Sequence, residues 1–118
     1  MAKKILVVDD EQAVVRYMTT LFEDHGYEVI AATDGAEALE VLDHSVPDLI
    51  TLDLQMDKVW GPQFYRKMSK NPALKEVPVI VVSGLARPEL AVKKAAAVVG
   101  KPFDPDELVR IVREQIGE

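Results

Sequence analysis

A chain of 118 residues, 48% hydrophobic and 29% charged, has room for one globular domain with a packed core and not for a second. Its 20 acidic and 14 basic side chains give a formal net charge of -6, which argues against a nucleic-acid backbone as the main partner. The lack of cysteine excludes disulfides, thiolate zinc sites and thiol nucleophiles and suits a cytoplasmic setting. The opening MAKK leads into an apolar run too short for a signal peptide or a membrane span, so no membrane partner is expected.

In chain order the sequence alternates between two hydrophobic periods. Lys4 to Val8 is a short apolar strand that ends in acid, Asp9-Asp10. Val14, Val15, Met18, Leu21 and Phe22 then recur at helical spacing, and His25-Gly26 stops that helix with a glycine just past its end. Glu28 to Ala32 reads as a second strand. Thr33-Asp34-Gly35 is a turn able to cap a helix that carries Ala36, Leu39 and Leu42 on one face and ends near Asp43. After the turn Pro47-Asp48, Leu49 to Leu52 has the continuous apolar character of a strand buried on both faces, and it ends on Asp53. Gly61-Pro62 opens a third helix with Phe64, Met68 and Tyr65 as inward candidates, and Asn71-Pro72 closes it. Pro78 to Val82 is a fourth strand closed by Ser83-Gly84. Pro88 to about Ala95 predicts a short, weak helix and Ala97 to Val99 a fifth strand. Asp104 or Asp106 can cap a last helix striped by Leu108, Ile111, Val112 and Ile116. Five βα units of this kind predict an α/β fold, a parallel sheet with helices on both faces.

The acids at the strand ends carry the chemistry. A carboxylate at the end of a central strand is costly to bury without partners, so its place is the open edge of the sheet, where this architecture puts its ligands. Two strands deliver three carboxylates, Asp9, Asp10 and Asp53, to one such edge. His25 at a helix end and His44 in a loop read as surface residues, Lys93-Lys94 as a solvated helix face, and Met18, Met56 and Met68 as packing groups.

The stretches VVDDE (Val7 to Glu11), LDLQM (Leu52 to Met56), VVSG (Val81 to Gly84) and GKPF (Gly100 to Phe103), each at the end of a predicted strand, together resemble the receiver domain of two-component response regulators. The resemblance covers the whole chain, 1–118, as a single domain. It implies a flavodoxin-like, doubly wound, five-stranded parallel sheet of order 2-1-3-4-5, an order for which a chemotaxis member of the family is a standard example. By the same resemblance Asp53 matches the phosphoacceptor, Asp10 a direct Mg2+ ligand, Asp9 an outer one, and the backbone carbonyl of Gln55 a further ligand. Ser83 matches the hydroxyl that would hydrogen-bond a phosphoryl oxygen. Lys101 matches the lysine that would pair with Asp53 before transfer and with the phosphoryl group afterwards, and Pro102 follows it across a bond that is cis in the family. Three carboxylates about 4 Å apart would repel by roughly 4 kcal/mol per pair at an effective dielectric near 20. A hard divalent cation relieves that repulsion.

Some positions depart from the family pattern. Asp57 stands where proline is usual and Trp60 where aspartate is usual. Ser83 and Lys101 are 18 positions apart, about one helical turn closer than in the family, which implies a shortened fourth helix region. Val98 replaces the aromatic that swings inward in the family switch. The reading is a stand-alone, phosphorylation-dependent receiver, served by a histidine kinase or histidine phosphotransfer protein, that catalyses at most its own phosphorylation and dephosphorylation. It would relay its state to a downstream protein, or to a second copy, through the surface of the fourth helix, fifth strand and last helix. The alternative is a non-switching pseudo-receiver, or a receiver module cut from a larger protein, that acts as a docking scaffold. An unrelated hydrolase with an Asp nucleophile is a more distant third.

Overall fold

Short β-branched runs alternate with amphipathic segments to give β1 (Lys4–Val8), α1 (Gln12–Asp24), β2 (Glu28–Ala32), α2 (Gly35–His44), β3 (Leu49–Leu52), α3 (Gly61–Ser69), a 3-10 turn (Pro72–Leu74), β4 (Val79–Ser83), β5 (Ala97–Gly100) and α4 (Pro105–Ile116). The structure is a computed structural model that describes residues 2–53, 61–84, 96–101 and 103–117. The expected fourth helix, Pro88 to Ala95, lies outside the described residues, as do Gln55, Met56, Asp57, Trp60, Lys93, Lys94 and Pro102.

All strand pairings are parallel and the order is β2-β1-β3-β4-β5, as the resemblance implied. Side chains alternate across the sheet and build a core on each face. Leu6, Val8, Ile50, Leu52 and Val81 pack with Ala38, Leu42, Phe64, Met68 and Leu74 from α2, α3 and the 3-10 turn. Ile5, Val7, Leu49, Ile80 and Val82 pack with Val15, Met18 and Phe22 of α1 and Leu108 and Val112 of α4. Burial of each such large side chain contributes about 1.5–3 kcal/mol, so the two cores hold the central strands rigid and fix where their C-terminal ends lie.

Local signals set the element ends. Gly26, at φ 90°, takes the left-handed conformation that ends α1, and its N–H donates to the Glu23 carbonyl at 3.1 Å. Asp34 accepts the Glu37 N–H at 2.8 Å while Glu37 accepts the Thr33 N–H at 2.7 Å, a reciprocal cap for α2. Of the two candidate caps for the last helix it is Asp104 that accepts, from the Asp106 N–H at 2.9 Å. The end of α4 is tied back across the molecule, where the buried Tyr27 hydroxyl donates to the Gly117 carbonyl at 2.8 Å.

Three details differ from the sequence expectation. In α2 the buried stripe is Gly35, Ala38 and Leu42, and Ala36 is exposed. The two alanines are equally apolar, so only the helical phase set by the Asp34 cap separates them. His44 is the last residue of α2, not a loop residue. In α4 Val109 joins Leu108 and Val112 in the core, whereas Ile111 and Ile116 are half-buried at its border. Among the described residues no helix is long and apolar enough to cross a membrane.

Candidate functional site

The register of the sheet brings the acids together. Val8 is paired with Leu52, and the ladder runs one step further on each side: the Asp53 N–H donates to the Val8 carbonyl at 2.9 Å and the Asp9 N–H to the Ala32 carbonyl at 3.1 Å. Asp9 and Asp53 therefore leave the sheet from adjacent strands at the same edge. They are 2% and 4% exposed, while Asp10 is half-buried, and one oxygen from each of the three lies within 4.8 Å of the others.

Such a cluster needs positive charge, and β5 supplies it. Ser83 pairs with Gly100, so the next residue, Lys101, emerges at that same edge. Its ammonium lies 2.8 Å from Asp9 Oδ2, 3.2 Å from Glu11 Oε1 and 3.7 Å from Asp53 Oδ2. Burial opposes the ammonium charge, but the hydrogen bond and the attraction of Asp9, helped by Asp53 and Glu11, outweigh it and hold the Lys101 pKa above its ordinary value. The sequence reading paired Lys101 with Asp53; the shorter contact is with Asp9. Asp9 is also fixed on its other oxygen, which accepts the Glu11 N–H at 2.9 Å.

Asp9, Asp10, Asp53 and Lys101 are thus assembled as expected. Ser83 ends β4 beside them, and Gln55 falls outside the described residues. Glu11 was missed. Its one signal in the sequence is its place at the start of α1, where glutamate caps poorly and is free to turn elsewhere.

Three carboxylates against one ammonium leave the edge acidic, and the donors are all hard oxygens. That set suits a hard divalent cation such as Mg2+, with Asp10, Asp53 and Asp9 as the holders. Next to the cluster a groove of about 530 Å³ is lined by Glu11, Ala13, Val14, Tyr17, Lys101 and Phe103, with the Tyr17 and Phe103 rings edge to face at 5.9 Å. Deeper in the sheet the Thr51 hydroxyl is buried with no hydrogen-bond partner, between Val7 and Ile80 on the neighbouring strands.

By sequence comparison, the family model of the response regulator receiver domain matches residues 5–113. The chain belongs to the response regulator receiver family. This receiver is 41% identical over 112 residues to protein Rrf1 of Nitratidesulfovibrio vulgaris Hildenborough, an alignment that covers 95% of this chain and 81% of Rrf1. It is 34% identical over 114 residues to response regulator Rre1 of Synechocystis, and there it spans about half of the relative's length, 49%. Among solved structures, the response regulator TrrA of Thermotoga maritima in complex with Mg2+-BeF superposes with a TM-score of 0.87 at 30% identity, covering 96% of this chain and 98% of TrrA.

Proposed function

We propose that this receiver takes a phosphoryl group onto Asp53 from a histidine kinase or histidine phosphotransfer protein, with Mg2+, and relays its state by protein contacts in the cytoplasm, the 118 residues acting as one receiver domain. The observation that carries the reading is Asp53 itself: a nearly buried carboxylate at the C-terminal end of β3, within 4.8 Å of two more acids and 3.7 Å from an ammonium. Burial limits access by water, and anchoring through its own N–H to β1 fixes the direction from which it can attack. In the transfer an Asp53 oxygen forms the new O–P bond as the N–P bond to the donor imidazole breaks, and the ring nitrogen keeps the bonding pair. Lys101, 3.7 Å from Asp53, is placed to neutralise charge on the phosphoryl oxygens, the Ser83 hydroxyl would hydrogen-bond one of them, and the Gln55 carbonyl would be a further ligand of the cation. A bound Mg2+ would supply charge neutralisation among Asp9, Asp10 and Asp53.

The relay surface proposed from sequence includes β5, an edge strand on which Val98 is 40% exposed. Incubation with Mg2+ and a small phosphodonor, followed by intact mass measurement, tests the acceptor. One added phosphoryl group is expected in the parent and none in Asp53→Asn, which keeps the shape and lacks the nucleophile. A labelled Asp53→Asn protein would remove Asp53 from the role, and an unlabelled parent would favour the docking scaffold.

A further inference from the structure

Three carboxylates are paired with Lys101, and they are not equivalent. Asp9 and Asp53 belong to the cluster whose oxygens can surround a cation, but Glu11 does not. A divalent cation in that cluster draws on the negative charge of Asp9 and Asp53 and at the same time repels the ammonium, so both partners loosen their hold on Lys101 when the cation arrives. Glu11 keeps its charge free of the cation. Its side chain occupies the N-cap position of α1 yet makes no cap hydrogen bond, and instead its Oε1 accepts from Lys101 Nζ at 3.2 Å. That side chain is 62% exposed, so packing does not explain its direction. The Glu11 backbone is meanwhile held by its N–H on Asp9 and by its carbonyl, which accepts the Val15 N–H at 3.0 Å.

We propose that Glu11 is a positioning residue that keeps the Lys101 ammonium beside Asp53 while a divalent cation occupies the carboxylate cluster. The inference rests on the receiver reading, and its test separates the two. Amine modification of Lys101 by an acylating ester, read by peptide mass spectrometry with and without saturating Mg2+ and with no phosphodonor present, reports how firmly the ammonium is held. In the parent the rate should change little when Mg2+ is added. In Glu11→Ala it should stay near the parent's without Mg2+, where Asp9 still holds the amine, and rise about two- to fivefold with it, the scale of one partly exposed ion pair. Glu11→Gln, which keeps the acceptor oxygen and loses the charge, should fall between them. Phosphorylation of Asp53 by a small phosphodonor at saturating Mg2+ should slow in the same order. Equal Mg2+-dependent labelling of Lys101 in the parent and Glu11→Ala would overturn the role of Glu11. Failure of Mg2+ to bind the parent, measured separately by calorimetry, would instead overturn the receiver reading beneath it.

Discussion

Asp9 and Asp53 are buried acids on neighbouring strands, and Lys101 favours Asp9 by about an ångström: 2.8 Å against 3.7 Å. Of the two buried carboxylates, the acceptor candidate is therefore the one the ammonium holds less closely. The buried polar group within β3, Thr51, has no such compensation. A buried hydroxyl without a partner costs about 1–3 kcal/mol, and valine has nearly the same shape. Thr51→Val should raise the unfolding free energy by about 1 kcal/mol with an unchanged denaturant slope, and a loss of stability on urea titration would show that the hydroxyl is hydrogen-bonded after all. At this scale Asp9, Asp10 and Asp53 were readable because they follow apolar strands, so their place at the sheet edge follows from the strands', whereas Lys101 came from the family resemblance. Glu11 was not readable, because a glutamate at the start of a helix has many possible directions and the sequence does not say which one its side chain takes.

The helices are positioned by their caps as much as by their stripes. Asp34 and Glu37 satisfy two N–H groups between them at the start of α2, one of the helices that cover the sheet. Asp34→Ala should destabilise the domain by about 1 kcal/mol, whereas Asp34→Asn, which retains an acceptor, should be close to neutral. Equal thermal shifts for the two variants would rule out the cap as the cause. Turns and caps at Asp34, Gly26 and Asp104 were legible since their side chains or missing Cβ act locally. Ala36 was misplaced and Val109 overlooked for the converse reason: the face a residue shows is fixed by helical phase and by what lies across the interface, which the apolar spacing alone does not give.

Across the whole molecule the strand order came from the family resemblance, because hydrophobic period identifies a strand and not its neighbours. The order matters because it gathers most of the site's charge from opposite ends of the chain. Binding of a cation at that edge must then stabilise the entire fold by mass action. In the parent each tenfold rise in Mg2+ beyond the dissociation constant should add about 1.4 kcal/mol of stability. Asp10→Asn should be more stable than the parent in metal-free buffer, since one repelling charge is gone, and should respond weakly to Mg2+. A parent-like Mg2+ response in that variant, followed by thermal unfolding, would exclude Asp10 as a ligand. The order β2-β1-β3-β4-β5 also separates the charges in time. Residues 2–53 contain three of the five strands and all three acids of the cluster, and Lys101 follows the last of the five strands to be synthesised. A nascent chain that has paired β1 with β3 thus carries an acidic edge before its lysine exists. When β5 joins the sheet it therefore brings Lys101 to an edge that the first 53 residues have already made acidic, and the strand that completes the sheet also brings the ammonium to Asp9.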